Sequence, residues 1–453
     1  MEQETIQALV ERIQQDVGDA KLEAAITSLT ALHPADRAEV FFQLNDDAQK
    51  QLMARFSVPV AAEILEELSD QEAVEASDNL STARLANVLD EMEPDEAADL
   101  LGDLTPERAA EALSGMQEAE EVIPLLSHPD ETAGGLMTTS FVALERKTTS
   151  SEAIQYLREI SPETETPYYL YVIDDDGRLA GVVGLRDLIV SKADATIESF
   201  MDREVASISN DADQEDAART MARYDLAALP VVDFDHVLQG VITYDDVIDV
   251  FEEEATEDVF NLAGIEGAAI SDRPYWSLRI PEIVRSRFVW LLVLFVAQTL
   301  TTAVLRHFQG ELQTAISLSF FVPLLIGTGG NAGAQTVTTV IRAIALDEVQ
   351  TRDVLRVIAR EVRTGLLLGF LLAVVAYFWV LISGVEAPLA LVVSITVFAI
   401  TIWANLVGAA IPIFASWVGV DPTVMSAPLI STLVDATGLL IYFSVAILVL
   451  KRL

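Results

Sequence analysis

Hydrophobic positions recur along this chain in three rhythms. Leu32, Leu44, Phe56, Leu68, Leu80, Met92, Leu104 and Met116 fall every 12 residues, each followed by a turn or cap residue. Eight residues after the first seven come Val40, Leu52, Ile64, Ala76, Val88, Leu100 and Ala112, a spacing that suits the buried face of a helix of about two turns. Ser69 with Glu72 has capping-box spacing, and Glu93-Pro94 and Thr105-Pro106 put proline at a first helical position. Helices this short are unstable alone, so residues 1–133 are expected to stack into an all-α, solenoid-like N-domain. The ordinary use of such an array is protein binding.

The second rhythm has a period of 59. Val172-Ile173-Asp174, Gly181-Val182-Val183 and Asp187 return as Val231-Val232-Asp233, Gly240-Val241-Ile242 and Asp246. Leu136-Met137 answers Phe200-Met201 at an offset of 64, the difference lying in extra residues around 161–165. Each copy reads as a lead-in segment, a helix, two short β-branched strands joined by an acidic turn, and a closing helix. This predicts an α/β tandem over 134–243, its last helix continuing beyond 243. The pattern resembles a pair of CBS domains, a module that binds adenine nucleotides with the Asp opening the closing helix at the ribose. Asp187 and Asp246 match that Asp, but Gly184 stands where the second copy has Thr243. Judged by its residues alone, each Asp is either a helix cap or a nucleotide contact.

The third rhythm is none at all. Apolar runs at 288–306, 313–341, 361–384, 388–417 and 425–450 each approach or exceed the roughly 20 residues needed to cross a bilayer. Residues 273–453 are therefore expected to form a five-helix, all-α transmembrane domain, which makes the chain a multidomain membrane protein with lipid as its surroundings. Arg279, Arg285 and Arg287 precede the first span, and Arg342, Arg352, Arg356, Arg360 and Arg363 lie between the second and third. That bias keeps the N-terminal region cytosolic, and an odd number of spans puts Leu453 outside the cell membrane. The start of the chain lacks a basic stretch followed by an apolar core, so no secretory signal is expected.

Charge divides along the same boundary. Residues 1–272 hold 61 Asp and Glu against 16 Lys and Arg, a net of −45, while 273–453 carry 9 against 12, a net of +3. A field of one sign repels itself unless counterions neutralise it, and it argues against nucleic acid as a partner. A solvated surface or salt adaptation is the other source of such acidity. Residues 244–272, expected as an acidic connecting helix, place Asp246, Asp249 and Glu253 at i, i+3 and i+7, and Glu254, Glu257 and Asp258 at i, i+3 and i+4. Carboxylates this close on a helix either lie in solvent or hold a hard divalent cation, and Mg²⁺ keeps several waters when held so. Cysteine is absent, which removes disulfides, zinc thiolates and thiol nucleophiles.

Two membrane segments carry candidate chemistry. Residues 323–335 interrupt the second span with Gly327, Gly329, Gly330, Gly333, Asn331 and Gln335, so this stretch is expected to line a path or form a tight helix contact. Asp435 is the one ionisable residue deep in any span, flanked by Ser431, Thr432, Thr437 and Gly438. Nothing basic there can pair with it; its partner is a passing cation, or it is protonated and bonded within the bundle. Asp421, just before the fifth span, falls at the cytosolic mouth.

The order of parts, Pro-Leu-Leu-Ile-Gly327-Thr-Gly-Gly-Asn331-Ala-Gly, and Ser426-Ala-Pro-Leu-Ile-Ser-Thr-Leu-Val-Asp435-Ala-Thr-Gly together resemble the MgtE family of Mg²⁺ channels over nearly the whole chain. The resemblance implies a homodimer with one central pore, in which paired Asp435 carboxylates hold hydrated Mg²⁺ with help from Asn331 and the Gly327 and Ser431 backbones. It also implies regulatory Mg²⁺ sites at Glu63, Asp95, Asp99, Asp225, Asp246, Asp249, Glu254, Glu257, Asp258 and Asp421, closing the pore when internal Mg²⁺ is high, and ATP as a regulator at Asp187. No catalysis is expected. An intramembrane protease would need a second membrane Asp or a His-based metal site, and His33, His128, His236 and His307 are scattered. A CBS-regulated transporter coupled to Na⁺ or H⁺ is the remaining alternative.

Overall fold

The computed structural model describes residues 3–160, 169–265, 278–314, 316–346 and 348–450. The extra residues near 161–165, the end of the acidic connection at 266–272 and Leu453 lie outside them. Two internally packed units, Met1–Glu252 and Glu253–Leu453, divide the chain.

The first unit opens with ten helices: α1 (Gln3–Gly18), α2 (Leu22–Thr30), α3 (Pro34–Phe42), α4 (Asp46–Met53), α5 (Val58–Glu66), α6 (Asp70–Ser77), α7 (Thr82–Leu89), α8 (Pro94–Asp103), α9 (Pro106–Gly115) and α10 (Ala119–Val122). Val40, Leu52, Ile64, Val88 and Ala112 are wholly buried and Ala76 and Leu100 nearly so, as the 12-residue phrase requires. Helices pack on the one two places along, α3 on α5 on α7 on α9 and α4 on α6 on α8. Two interleaved rows of short helices thus form the solenoid. Prolines start α8 and α9 as expected. The capping box at Ser69 does not form: its side chain makes no cap bond, and Glu72 lies on the buried side of the helix.

Each 59-residue copy folds as a three-stranded sheet with two helices. The first has β1 (Ala143–Glu145), α11 (Ser150–Ile160), β2 (Tyr169–Ile173), β3 (Leu179–Gly184) and α12 (Leu185–Val190). The second has β4 (Ile208–Ser209), α13 (Gln214–Tyr224), β5 (Ala228–Val232), β6 (Leu238–Thr243) and α14 (Tyr244–Ala263). In both, the first strand is parallel to the second and the second antiparallel to the third, with Val172 opposite Gly181 and Val231 opposite Gly240. The lead-in segments are exchanged: Thr138 bridges Val241 and Asp202 bridges Val182. That exchange explains the repeated glycines. A Cβ on Gly240 would meet Met137 Sδ at 2.7 Å, and one on Gly181 would meet Met201 Sδ at 2.8 Å. One hydrophobic core runs from α1 through α9 into the second copy, reaching Met221, Ile242 and Val250.

Among the described residues the second unit holds five helices long and apolar enough to cross a membrane. They are α15 (Ile280–His307), α17 (Val322–Ala345), α18 (Val354–Ile382), α19 (Ala387–Trp417) and α20 (Ala427–Leu450), with a short α16 (Gln309–Thr314) between the first two. α17, α19 and α20 pack on one another, α18 lies against α19 and α15 against α20. Half of the most apolar stretch of α19 is buried, against 6% for α15, so α19 is central and α15 peripheral. α15 and α18 begin before their apolar runs because the arginine-bearing turns are helical too. The glycine-rich segment does not break its helix. Pro323 sits in the first turn of α17, where its missing N–H costs nothing, and Gly329, Gly330 and Gly333 serve close packing against α19 and α20.

Candidate ion pathway and regulatory carboxylates

Asp435 lies midway along α20 and is 8% exposed, and its Oδ1 is buried with no hydrogen-bond partner. Such an oxygen normally finds a donor, because burying it bare is costly. Facing it on α17 is Gly330. A Cβ there would stand 2.3 Å from Ser431 Oγ and 3.5 Å from Asp435 Oδ1, so glycine lets α20 bring both side chains against the α17 backbone. Gly327 and Asn331 lie on the adjoining exposed face of α17, one turn apart. Ser431 and Asp435 are thus brought to Gly330, with Asn331 and Gly327 flanking.

Several other polar groups in the bundle are paired between helices. Thr336 donates to Asn405 Oδ1 at 2.9 Å, and Asn405 Nδ2 donates to the Thr401 carbonyl at 2.8 Å, tying α17 to α19. Trp403 Nε1 donates to Thr437 Oγ1 at 2.8 Å, tying α19 to α20. Sequence reading passed over these three, although an Asn inside the apolar run 388–417 was a visible signal.

Within the second unit, the C-terminal part of α14 meets the loop before α20. Asn261 Nδ2 donates to Glu257 Oε1 at 3.1 Å and to Thr423 Oγ1 at 3.4 Å. Asp421 in turn accepts the Thr423 N–H at 2.8 Å and its hydroxyl. Glu257 and Asp421 therefore converge through Asn261 and Thr423. Glu254 and Asp258 occupy the same helix, Glu254 one turn before Glu257 and Asp258 next to it.

A second set of acids gathers in the first unit. Asp95 on α8 is 7% exposed, with Oδ1 unpartnered. Burial and then the Asp246 charge push its carboxyl up to about 7. Glu96 is driven well up by burial and by Asp95, Asp99 and Asp246, and Asp99 reaches about 8 through burial, Asp70 and Asp130. Glu66 rises to about 7 by burial and the Glu63 and Glu67 charges. Glu63 itself is ion-paired with the buried Arg37. Asp246 opens α14 and accepts the Thr243 N–H at 3.1 Å and its hydroxyl; burial raises its carboxyl first. Asp249 is raised by burial and by Glu252 and Asp245. Asp225 ends α13 in the left-handed conformation, φ 52°, on the wall of a cavity it shares with Asp245. Among the described residues, no three His, Asp or Glu side chains converge as one metal cage; Asp95 with Asp246 and Glu257 with Asp421 are the near pairs.

With this geometry in hand, comparison with known proteins is direct. The model of a divalent cation transporter family, MgtE, matches residues 322–445, that of the MgtE intracellular N domain matches 32–131, and CBS domains match 133–194 and 197–253. The magnesium transporter MgtE of Thermus thermophilus is 42% identical over 332 residues, 73% of each chain, and that of Enterococcus faecalis 37% identical over 333. The chain belongs to the MgtE family of magnesium transporters. Its first unit resembles a crystal structure of the cytosolic domain of the Mg²⁺ channel MgtE in complex with ATP, at 34% identity and a TM-score of 0.51, covering 53% of this chain and 99% of that one. A crystal structure of the soluble part of a magnesium transporter matches at 33% identity and a TM-score of 0.50, over 55% and 99%.

Membership in the MgtE family settles two matters. It is a family of transporters, so the enzyme alternative is set aside, and with five apolar helices the chain is a membrane protein. In the first CBS copy of this transporter, Tyr169 pairs across the sheet with Gly184, where the second copy pairs Ala228 with Thr243. Asp187 is exposed beside Gly184, 3.4 Å from where a Cβ would stand. The Asp246 carboxylate is engaged by Thr243; among the described residues no hydroxyl takes that role at Asp187.

Proposed function

We propose that this protein is a Mg²⁺-selective channel for magnesium uptake, a homodimer whose path runs along α17 and α20 with the N-terminus cytosolic and Leu453 outside. The observation that carries this reading is Asp435 Oδ1, buried and unpartnered among the described residues in an apolar helix. A carboxylate there costs several kcal/mol in a bilayer unless something positive joins it. Paired Asp435 side chains from two copies would hold a Mg²⁺ that keeps its inner waters, with Asn331 and the Gly327 and Ser431 backbones accepting from those waters.

Gating follows from the remaining acids. Mg²⁺ bound among Glu63, Asp95, Asp99, Asp225, Asp246 and Asp249 would hold the cytosolic domains compact, and Mg²⁺ at Glu254, Glu257, Asp258 and Asp421 would fix the connecting helix at the mouth, closing the path. Loss of those ions restores repulsion and opens it. ATP bound at Asp187 would shift the Mg²⁺ threshold. Current through the reconstituted protein, with Mg²⁺ varied independently on each face, tests the reading: conduction driven by Mg²⁺ and voltage alone, shut by millimolar Mg²⁺ on the cytosolic face, is expected. Flux that needs a Na⁺ or pH gradient would replace it with the coupled transporter.

A further inference from the structure

α17 carries a stripe that does not belong in lipid. Gly327, Asn331, Gln335, Thr338 and Arg342 recur at helical spacing and all are exposed. The amide side chains of Asn331 and Gln335 make no hydrogen bond among the described residues. Elsewhere the exposed surface of the bundle is mostly apolar, as with Leu367, Phe370 and Leu371 on α18, and exposed hydroxyls such as Thr299, Thr364 and Ser444 donate to carbonyls of their own helices. Gln298 on α15 is exposed as well, but it stands among Phe295, Val296 and Leu300, all more than half exposed. The stripe on α17 is continuous, and it starts at the level of Asp435. An unpaired carboxamide on a membrane helix must reach water or another polar group.

We propose that Gln335 lines the same aqueous path as Asn331 and makes the next contact to the hydrated ion on its cytosolic side. This rests on the channel reading above and adds a residue to it. Four residues of helix set Gln335 about 6 Å beyond Asn331, toward Arg342 at the basic, cytosolic end. Mg²⁺ sheds its inner waters reluctantly, and those waters are strong donors. A carboxamide oxygen from each copy accepts from them without adding charge, so an ion leaving Asp435 is received and not trapped. Gln335 is thereby a positioning and selectivity residue for permeation, distinct from the charged site.

The absence of cysteine makes the test clean, because Gln335→Cys, Asn331→Cys and Leu367→Cys each place a sole thiol in the full-length protein. In liposomes, modification by a charged, membrane-impermeant methanethiosulfonate reports water access, since the thiolate is the reacting form. Gln335→Cys should react at least about tenfold faster than Leu367→Cys, slow in millimolar Mg²⁺, and lose Mg²⁺ flux once modified. Equal rates at Gln335→Cys and Leu367→Cys overturn the inference. A reactive Asn331→Cys beside an unreactive Gln335→Cys removes Gln335 alone; with both unreactive, α17 lines no path and the channel reading falls too. Gln335→Leu and Gln335→Asn supply the second readout: Leu should cut flux at least about tenfold while Asn, keeping the amide, preserves discrimination against Ca²⁺. Wild-type flux and selectivity in Gln335→Leu likewise overturn it.

Discussion

At the scale of single residues, Asp435 shows how environment assigns a role. The same side chain on the solenoid surface would be one of many solvated acids; in α20 its Oδ1 is buried and bare. Asp435→Ala is expected to lower Mg²⁺ permeation by about 100-fold or more, since the bilayer cost of an unaccompanied divalent ion rises by several kcal/mol without the charge. Folded Asp435→Ala should still elute at the wild-type position in size-exclusion chromatography, because Ala puts a smaller side chain, and no new clash, against Gly330. Asp435→Asn keeps shape and oxygen but loses charge, and should fall between. Wild-type flux from folded Asp435→Ala would end the assignment.

Elements act through what they allow to approach. α17 stays helical through four glycines, and Gly330 turns that composition into a contact, since any Cβ there would collide with Ser431 Oγ. α14 does the reverse: its acids repel, and Asn261 links Glu257 to Thr423 and through it to Asp421. Neutralising Glu254, Glu257 and Asp258 together is expected to raise the cytosolic Mg²⁺ needed for half inhibition about tenfold while leaving open-state conductance unchanged. Unaltered inhibition of the triple variant would reduce this helix to a solvated surface. For α12, calorimetry should detect ATP binding that Asp187→Ala weakens; no difference between the two would remove Asp187 from the nucleotide site.

Across the whole molecule, a charge of −45 on residues 1–272 must be managed for that acidic part to remain compact. Proteolysis of the full-length protein should slow with millimolar Mg²⁺ but not with KCl of equal ionic strength, because a bridging ion differs from diffuse screening. The pH dependence has a definite sign. Asp95 at about 7 and Asp99 at about 8 stand above the ordinary 3.8, so the folded form binds protons the unfolded form releases, and stability falls as pH rises through 7 to 8. Metal-free protein should therefore be better protected at pH 6 than at pH 8. Added Mg²⁺ should protect more at pH 8, where the carboxylates are bare. Equal protection at both pH values without metal would contradict the burial of these acids.

The sequence by itself determined whatever depends on period and composition. A 12-residue rhythm, a 59-residue repeat and five apolar runs each fix a local structure, because helix and strand geometry and bilayer thickness are near-constants. Asp435 was legible for the same reason, as a lone charge in hydrocarbon. Tertiary structure alone decided what depends on which side chains meet. It drew Glu72 inward and left Ser69 uncapped, placed a bare Asp95 oxygen near Asp246 across 151 residues of chain, and gave Glu63 a counter-ion in Arg37. It exchanged the lead-in segments of the two CBS copies, and it turned Gly329, Gly330 and Gly333 of α17 from a break into a seam. Those outcomes rest on packing between elements distant in sequence, where a carboxylate's partners and its protons are set by burial rather than by its neighbours in the chain.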